Sequence, residues 1–200
     1  MPAQDPVAVI VRTKNRPHFL QRALQDIFDQ TYRSYGGSAG PVENVVAGLP
    51  ETARERVAVL HNKQSLGMEA ASNSGVQSCD SEYIVIHDDD DLWHPEFLER
   101  TVFYLNNSSD AGVVVRTQIR YEEIVDGQIL KTGSEPFWEG MQQISLGDML
   151  RINRAVPISF LYRRSLHDEL GYFNESLPVC GDWEFNLRVL ARHRIGFLDG

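Results

Sequence analysis

The chain has 200 residues, 42% hydrophobic and 24% charged, which is enough for one globular domain with a sizeable core. Its net charge of -9 argues against general nucleic-acid binding, which needs a basic surface to neutralise phosphates. No stretch approaches the roughly 18 apolar residues of a membrane span, and the N-terminus lacks a signal pattern. Cys79 and Cys180 are far apart and favour a reducing compartment. We therefore expect a cytoplasmic protein, with peripheral attachment to the inner membrane face as the alternative.

The first half of the chain alternates short apolar runs with stretches of helical periodicity. Strands are predicted over residues 7–11, 57–60 and 83–87. Helices are predicted over residues 17–30, 42–49, 66–78 and 95–106, with Pro17 at a first helical position and Ser65 as the cap of the third. Residues 32–40, which are rich in Gly and Ser, are predicted to form a loop.

The second half is more varied. It predicts a strand over residues 112–116, a hairpin over 118–131 turning at Asp126 and Gly127, and a loop over 132–140. A helix over 145–153, a strand over 157–162 and an amphipathic helix over 181–192 follow. The fold class predicted is α/β, with a mostly parallel central sheet flanked by helices and a small antiparallel hairpin.

Residues 88–91 are four aspartates, which we call the aspartate run, and they directly follow a predicted buried strand. Open α/β sheets bind ligands at the carboxyl ends of their strands. Mg²⁺ and Mn²⁺ prefer oxygen ligands and commonly bind one or two carboxylates together with substrate phosphates. The alternative is a solvated acidic turn before a helix whose N-terminus favours Asp. The strand before the run and the helix after it favour the metal and phosphate site.

Two further polar groups are candidates for chemistry. Asp182 stands at the start of the last predicted helix beside Trp183, and a carboxylate partly withdrawn from water suits a general base for a hydroxyl. Its alternative role is a helix cap. Arg12, Lys14 and Arg16 follow the first strand, where they could contact a phosphate or a nucleotide base, or form a solvated loop. The sequence has no P-loop or dinucleotide-binding motif.

Three segments, in order, resemble family 2 glycosyltransferases of the GT-A fold. They are VIVRTKNRP at residues 9–17 with QTY at 30–32, EYIVIHDDDDLWHPEFLE at 82–99, and GDWEFNLR at 181–188. Between the first two, Asn62, Gly67, Ala71, Asn73 and Gly75 have the family's spacing. The resemblance covers nearly the whole chain.

The resemblance implies a metal-dependent, inverting transfer of a sugar from a nucleotide-sugar donor, with a UDP-sugar expected. Asp88 and Asp90 would form the D-x-D pair, with Asp90 as the direct ligand of Mn²⁺ or Mg²⁺ and Asp88 nearer the ribose and metal. Asp182 would deprotonate the acceptor, a hydroxyl of a glycan, a lipid or another molecule. The other residues expected at the donor are Thr13, Asn15, Arg16, Asn73 and Asp89.

The chain is expected to be a single domain, with residues 1–110 binding the donor and 111–200 the acceptor. Residues 32–38 depart from the family by supplying neither its second strand nor its base-contacting acid, which indicates a deletion or a missing segment. Ser72 stands where the family often has arginine. Related enzymes often continue beyond the point matching Gly200, so we expect C-terminal truncation.

Two alternative functions are kept. One is a nucleotidyltransferase-like enzyme, which would usually have a Gly-rich phosphate loop after the first strand. The other is a non-catalytic module that binds a nucleotide sugar or a glycan, and the missing second strand is its best support.

Overall fold

The computed structural model describes residues 6–31, 35–39, 43–62 and 64–199. Within them the strands are β1 (Val7–Arg12), β2 (Tyr35–Ala39), β3 (Val57–Val59), β4 (Tyr83–Asp88), β5 (Gly112–Val115), β6 (Gln118–Val125), β7 (Gln128–Pro136), β8 (Phe160–Arg163) and β9 (Ile195–Leu198). The helices are α1 (Pro17–Phe28), α2 (Glu43–Ala47), α3 (Glu51–Arg54), α4 (Met68–Gln77), α5 (Phe97–Asn106), α6 (Leu146–Met149), α7 (Ser165–Leu170) and α8 (Gly181–Leu190). A 3-10 helix covers Pro157–Ser159.

Seven strands form one mixed sheet in the order β3-β2-β1-β4-β8-β5-β9. Strand β8 runs antiparallel to β4 and β5, and the other pairs are parallel. Strands β6 and β7 form a separate antiparallel hairpin. The β1–β4 register pairs Arg12 with Asp88, so the basic segment and the aspartate run leave the sheet side by side. The predicted α/β class, with its hairpin, is confirmed.

Helices cover both faces of the sheet because successive strand residues point to opposite sides. On β1, Val7, Val9 and Val11 belong to the core shared with α1 and α5, while Ile10 belongs to the core shared with α4 and α8. Helix α4 lies close to the sheet through Gly75, where an added Cβ would stand 2.5 Å from Ile10 Cγ2. The small residues of this helix therefore permit the predicted close packing.

The prediction that the second strand is missing is wrong. Residues 35–39 form β2, which pairs in parallel with both β1 and β3. The segment lacks apolar alternation, so the hydrogen-bonded ladders on its two sides define this strand more than its own sequence does. Residues 32–42 nevertheless contain neither Asp nor Glu, so the expected acid is absent from that segment. The positions just before and after β2 lie outside the described residues.

Several predicted boundaries also change. Strand β7 extends to Pro136, into the predicted loop, because β6 continues to pair with it beyond a bulge at Tyr121 and Glu122. Helix α4 begins at Met68 after Gly67, whose φ is 101°, so Ser65 does not cap it. Strand β9 and helices α3 and α7 were not predicted. Across the described residues, no helix is long and apolar enough to cross a membrane.

Candidate active site

The aspartate run begins with the last residue of β4 and turns sharply. The Asp91 N–H donates to the Asp88 carbonyl at 3.2 Å. The side chains differ in exposure: that of Asp89 is fully buried, whereas 29% of Asp88 and 46% of Asp90 is exposed. Asp88 and Asp90 are therefore the more accessible pair, and they are the two residues expected to act with the metal.

Arginines from the first segment contact this run. Arg12 donates from Nε and Nη2 to the two carboxylate oxygens of Asp88, at 2.8 and 2.7 Å. Arg16 is ion-paired with Asp89 and also donates from Nη1 to Asp90 Oδ2 at 2.8 Å. The basic segment, expected to face a phosphate or a base, here compensates the repulsion between adjacent carboxylates.

Burial changes the protonation of the run. Burial, together with the negative charges of Asp88 and Asp90, raises the pKa of Asp91 to about 7. Burial also raises the pKa of Asp89, although a hydrogen bond from Thr13 and the charge of Arg16 oppose this. Asp91 is thus partly protonated near neutral pH. Thr13, expected to touch the nucleotide base, lies against Asp89 in this structure.

Trp93 anchors the chain that follows the run. Its backbone N–H donates to Asp26 Oδ2 at 2.8 Å, and its Nε1 donates to the Ile158 carbonyl at 2.7 Å. Its ring stacks on Phe97 and meets the edge of His87. Burial lowers the pKa of His87 to about 4, so this histidine is a neutral core residue at pH 7.

The aspartates do not cap α5. That helix follows Glu96 without a side-chain cap. Instead, the buried Gln30 accepts the Leu98 N–H at 3.2 Å and donates to the His94 carbonyl at 3.0 Å. Gln30 therefore ties the end of α1 to the start of α5. Sequence analysis missed this role because the partners are more than 60 residues apart.

Asn73 and Asn15 differ in their surroundings. Asn73 is buried on α4, where Nδ2 donates to the Phe173 carbonyl at 2.9 Å and Oδ1 accepts the Phe173 N–H at 2.9 Å. It also donates to Glu175 at 2.8 Å. Asn15 is exposed, with a φ of 57°. The structure therefore ties Asn73 to another loop and leaves Asn15 at the surface.

Asp182 is the second residue of α8. Its Oδ2 accepts a hydrogen bond from Asn153 Nδ2 at 2.9 Å. The helix start is fixed by Glu69, a buried carboxylate on α4 that accepts the Gly181 N–H at 3.1 Å. A Cβ on Gly181 would overlap the Glu69 side chain, so a larger residue would force that side chain to move and weaken its bond to the Gly181 N–H.

A small pocket lies beside Asp182, and its lining includes none of the four aspartates of the run. Its lining residues are Arg12, Glu69, Ser72, Ile86, Pro157, Phe173 and Asp182. Arg12 is hydrogen-bonded to Asp88. The pocket is therefore lined both by Asp182 and by the arginine that holds the first residue of the aspartate run. Arg12 and Asp182 thus lie at one pocket although they are 170 positions apart in the sequence.

The ligands available for a metal are few. Among the residues that the structure describes, no group of three or more His, Cys, Asp or Glu side chains could hold a metal ion. Asp88 and Asp90 supply two carboxylates, and Mg²⁺ is commonly bound by one or two carboxylates plus substrate phosphates and water. The donor set therefore fits a hard cation that binds together with a diphosphate.

Sequence comparison identifies relatives across the domain. The glycosyl transferase family 2 model matches residues 8–171. The glycosyltransferase YwdF of Bacillus subtilis is 29% identical over 201 residues, covering 94% of this chain and 69% of YwdF. A PGL/p-HBAD biosynthesis glycosyltransferase of Mycobacterium tuberculosis is 23% identical, covering 92% of this chain and 69% of its own length.

Solved structures share the fold. S. aureus TarS 1-349 in complex with UDP has a TM-score of 0.74 at 16% identity, covering 96% of this chain and 57% of that one. The mannosyltransferase PcManGT of Pyrobaculum calidifontis, in complex with GDP-Man and Mn²⁺, has a TM-score of 0.69 at 16% identity and covers 100% and 57%. The chain thus spans little more than half of these structures. It has the GT-A fold and belongs to glycosyl transferase family 2.

Proposed function

We propose that this chain transfers a sugar from a nucleotide-sugar donor, a UDP-sugar, to an acceptor hydroxyl, with metal dependence and inversion at the anomeric carbon. The observation that carries the proposal is the shared pocket. Asp182 and Arg12, which holds Asp88, line one space between β1, β4, α4 and α8. Asp182 would supply the base on one side, and Arg12 connects the other side to the aspartate run, where we propose that the diphosphate binds.

At the donor side, the contacts favour Asp90 as the direct metal ligand. Asp88 has both carboxylate oxygens held by Arg12, whereas the contact of Arg16 with Asp90 uses Oδ2. Asp88, held by Arg12, would then lie nearer the ribose and the metal. A bound Mn²⁺ or Mg²⁺ would stabilise the negative charge of the leaving diphosphate. Arg16 must release Asp90 for that role, and its guanidinium can then contact a phosphate oxygen.

At the acceptor side, Asp182 accepts the proton of the attacking hydroxyl. The hydroxyl oxygen forms a bond to the anomeric carbon while the bond between that carbon and the diphosphate oxygen breaks. One displacement from the face opposite the leaving group inverts the configuration.

We propose that the nucleotide contacts Thr13, Asn15, Asn73 and Asp89. Asn73 and Asp89 are buried, so each must give up its present partner to do so. TarS has been determined with UDP and with UDP-GlcNAc, which supports a uridine nucleotide. PcManGT binds GDP-Man, so GDP is the nucleotide to compare with UDP in a binding test. The presence of β2 removes the best support for a non-catalytic module.

Thermal unfolding tests the donor side. UDP with Mn²⁺ at about 100 times its Kd should stabilise the fold by about 2.7 kcal/mol. For a chain of this size the Tm should rise by roughly 5–10 °C. EDTA should abolish the shift, and GDP should give a smaller one. Absence of a shift with every nucleoside diphosphate would remove the basis of the proposal.

Variants separate binding from chemistry. Asp182→Asn should keep the UDP-dependent Tm shift and lose about 10²- to 10⁴-fold in turnover, the usual range for a general base. Asp90→Asn should lose the shift. Asp80→Asn is the matched control, because this exposed carboxylate lies just before β4, at the opposite end of the strand from the run. Unchanged turnover in Asp182→Asn would reject its assignment as the base.

A further inference from the structure

The loop between α6 and the 3-10 helix is clamped along the first turns of α8. Three side-chain hydrogen bonds form the clamp: Trp183 Nε1 to the Met149 carbonyl at 2.6 Å, Asn153 Nδ2 to Asp182 Oδ2 at 2.9 Å, and Asn186 Nδ2 to the Ala155 carbonyl at 3.2 Å. Two of these bonds go from side chains of α8 to backbone carbonyls, one at the end of α6 and one in the loop. The bond from Asn153 is the one that reaches the carboxylate of Asp182.

The orientation of the Asn153 amide follows from the hydrogen bonds that its oxygen and its nitrogen make. Its Oδ1 accepts the Ala155 N–H at 3.2 Å, and an amide oxygen cannot donate. The Nδ2 group must therefore face Asp182. Asn153 is partly buried, so water competes only weakly for this bond. The loop backbone thus fixes the amide, and the amide in turn fixes one oxygen of the carboxylate.

We propose that Asn153 is a positioning residue for Asp182. It holds Oδ2 by donating a hydrogen bond, so that Oδ1 is the oxygen that takes the acceptor proton. This inference rests on the assignment of Asp182 as the base. Without Asn153 the carboxylate can rotate about its side-chain torsions, and a misplacement of about 1 Å can cost about 100-fold in rate. Asn153 is not among the residues that line the pocket at Asp182.

The decisive variant is Asn153→Asp. An aspartate keeps an oxygen for the Ala155 N–H, so the loop retains that bond, but it cannot donate to Asp182 at neutral pH. The added negative charge beside Asp182 disfavours its ionised form, so the acid limb of the pH profile of kcat should move up by about one unit or more. Asn153→Ala should lower kcat about 10- to 100-fold. In both variants the KM for the donor and the UDP-dependent Tm shift should stay unchanged.

Asn186→Ala is the matched control. It removes the bond to the Ala155 carbonyl and loosens the same loop without touching Asp182. It should lower the Tm while kcat stays within about threefold of the unmodified enzyme, since the loss of a hydrogen bond is mainly a stability effect. An equal loss of kcat in Asn186→Ala and Asn153→Ala would overturn the proposal, because general loosening of the loop would then explain both.

The proposal and the base assignment fail in different ways. If Asp182→Asn is inactive while both Asn153 variants retain full kcat and an unshifted pH profile, the positioning role is wrong and the base stands. If Asp182→Asn is also fully active, the base assignment itself fails. A kcat loss in Asp182→Asn and in both Asn153 variants but not in Asn186→Ala, with the shifted acid limb in Asn153→Asp, supports the proposal.

Discussion

Replacement of Asp26 by asparagine should stabilise the protein, and increasingly so as the pH rises. Asp26 lies on α1, and its Oδ2 accepts the backbone N–H of Trp93. Burial raises the pKa of its carboxyl to about 6, from an ordinary value of 3.8. Asparagine can accept the same hydrogen bond through Oδ1 and carries no charge to bury.

The sign of the change in folding stability with pH follows from the direction in which the pKa of Asp26 moves. Because the folded pKa lies above the unfolded one, the folded state binds the proton more tightly, and ionisation disfavours folding. The loss of folding stability caused by ionisation of Asp26 begins near pH 3.8 and is complete above about pH 6. At about 1.4 kcal/mol per unit, the total is about 3 kcal/mol, of which roughly half is already lost at pH 5.

Urea unfolding of the unmodified protein and Asp26→Asn at pH 5 and pH 8 measures the effect. The stability advantage of the variant should grow by about 1.4 kcal/mol between the two pH values. Asp91 and His87 titrate in both proteins, so the difference isolates Asp26. A pH-independent difference would refute the reasoning, because it would show that the carboxylate is not selectively penalised in the folded state.

Three further predictions concern packing, acid stability and the aspartate run. Gly75→Ala should lower the free energy of unfolding in urea by about 1–3 kcal/mol, because its Cβ would lie 2.5 Å from the Ile10 side chain of β1. Gly147→Ala is the control and should be nearly neutral, because its Cβ would meet nothing within 4 Å. Burial among aromatic rings lowers the pKa of His167 to about 4, so stability should fall as the pH drops from 6.5 towards 4, and an acid unfolding titration of His167→Gln should show a weaker dependence. Arg16→Gln should leave the buried Asp89 unpaired and lower the Tm, and adding Asp89→Asn should restore part of the loss; no recovery in the double variant would contradict the pairing.

Much of the fold could be predicted because its central strands have strong local patterns. The run at residues 7–11 and the strand before the aspartates are continuous apolar segments buried on both faces. Strand β2 could not be recognised, since its sequence YGGSA lacks apolar alternation and the strand depends on neighbours on both sides. The end of β7 was missed for a similar reason: pairing with β6 continues past the turn-like residues Thr132 and Gly133.

The residues of the candidate site also fall into those that the sequence predicts and those that it does not. The aspartate run and Asp182 could be chosen from their positions at the ends of elements, and the family resemblance singled out Asp88 and Asp90 within the run. Their partners could not be chosen, because the bonds from Arg12 to Asp88 and from Asn153 to Asp182 join residues 76 and 29 positions apart. Such pairs depend on strand register and loop packing, which no local pattern encodes.

The most direct test of the central claim is release of nucleoside diphosphate from a panel of nucleotide sugars with Mn²⁺, measured with and without EDTA. We expect slow, metal-dependent hydrolysis of a UDP-sugar, loss of that hydrolysis in EDTA and in Asp90→Asn, and full activity in Asp80→Asn. Hydrolysis that persists in EDTA, or that is equal in Asp90→Asn and the unmodified protein, would contradict the proposed function of the aspartate run.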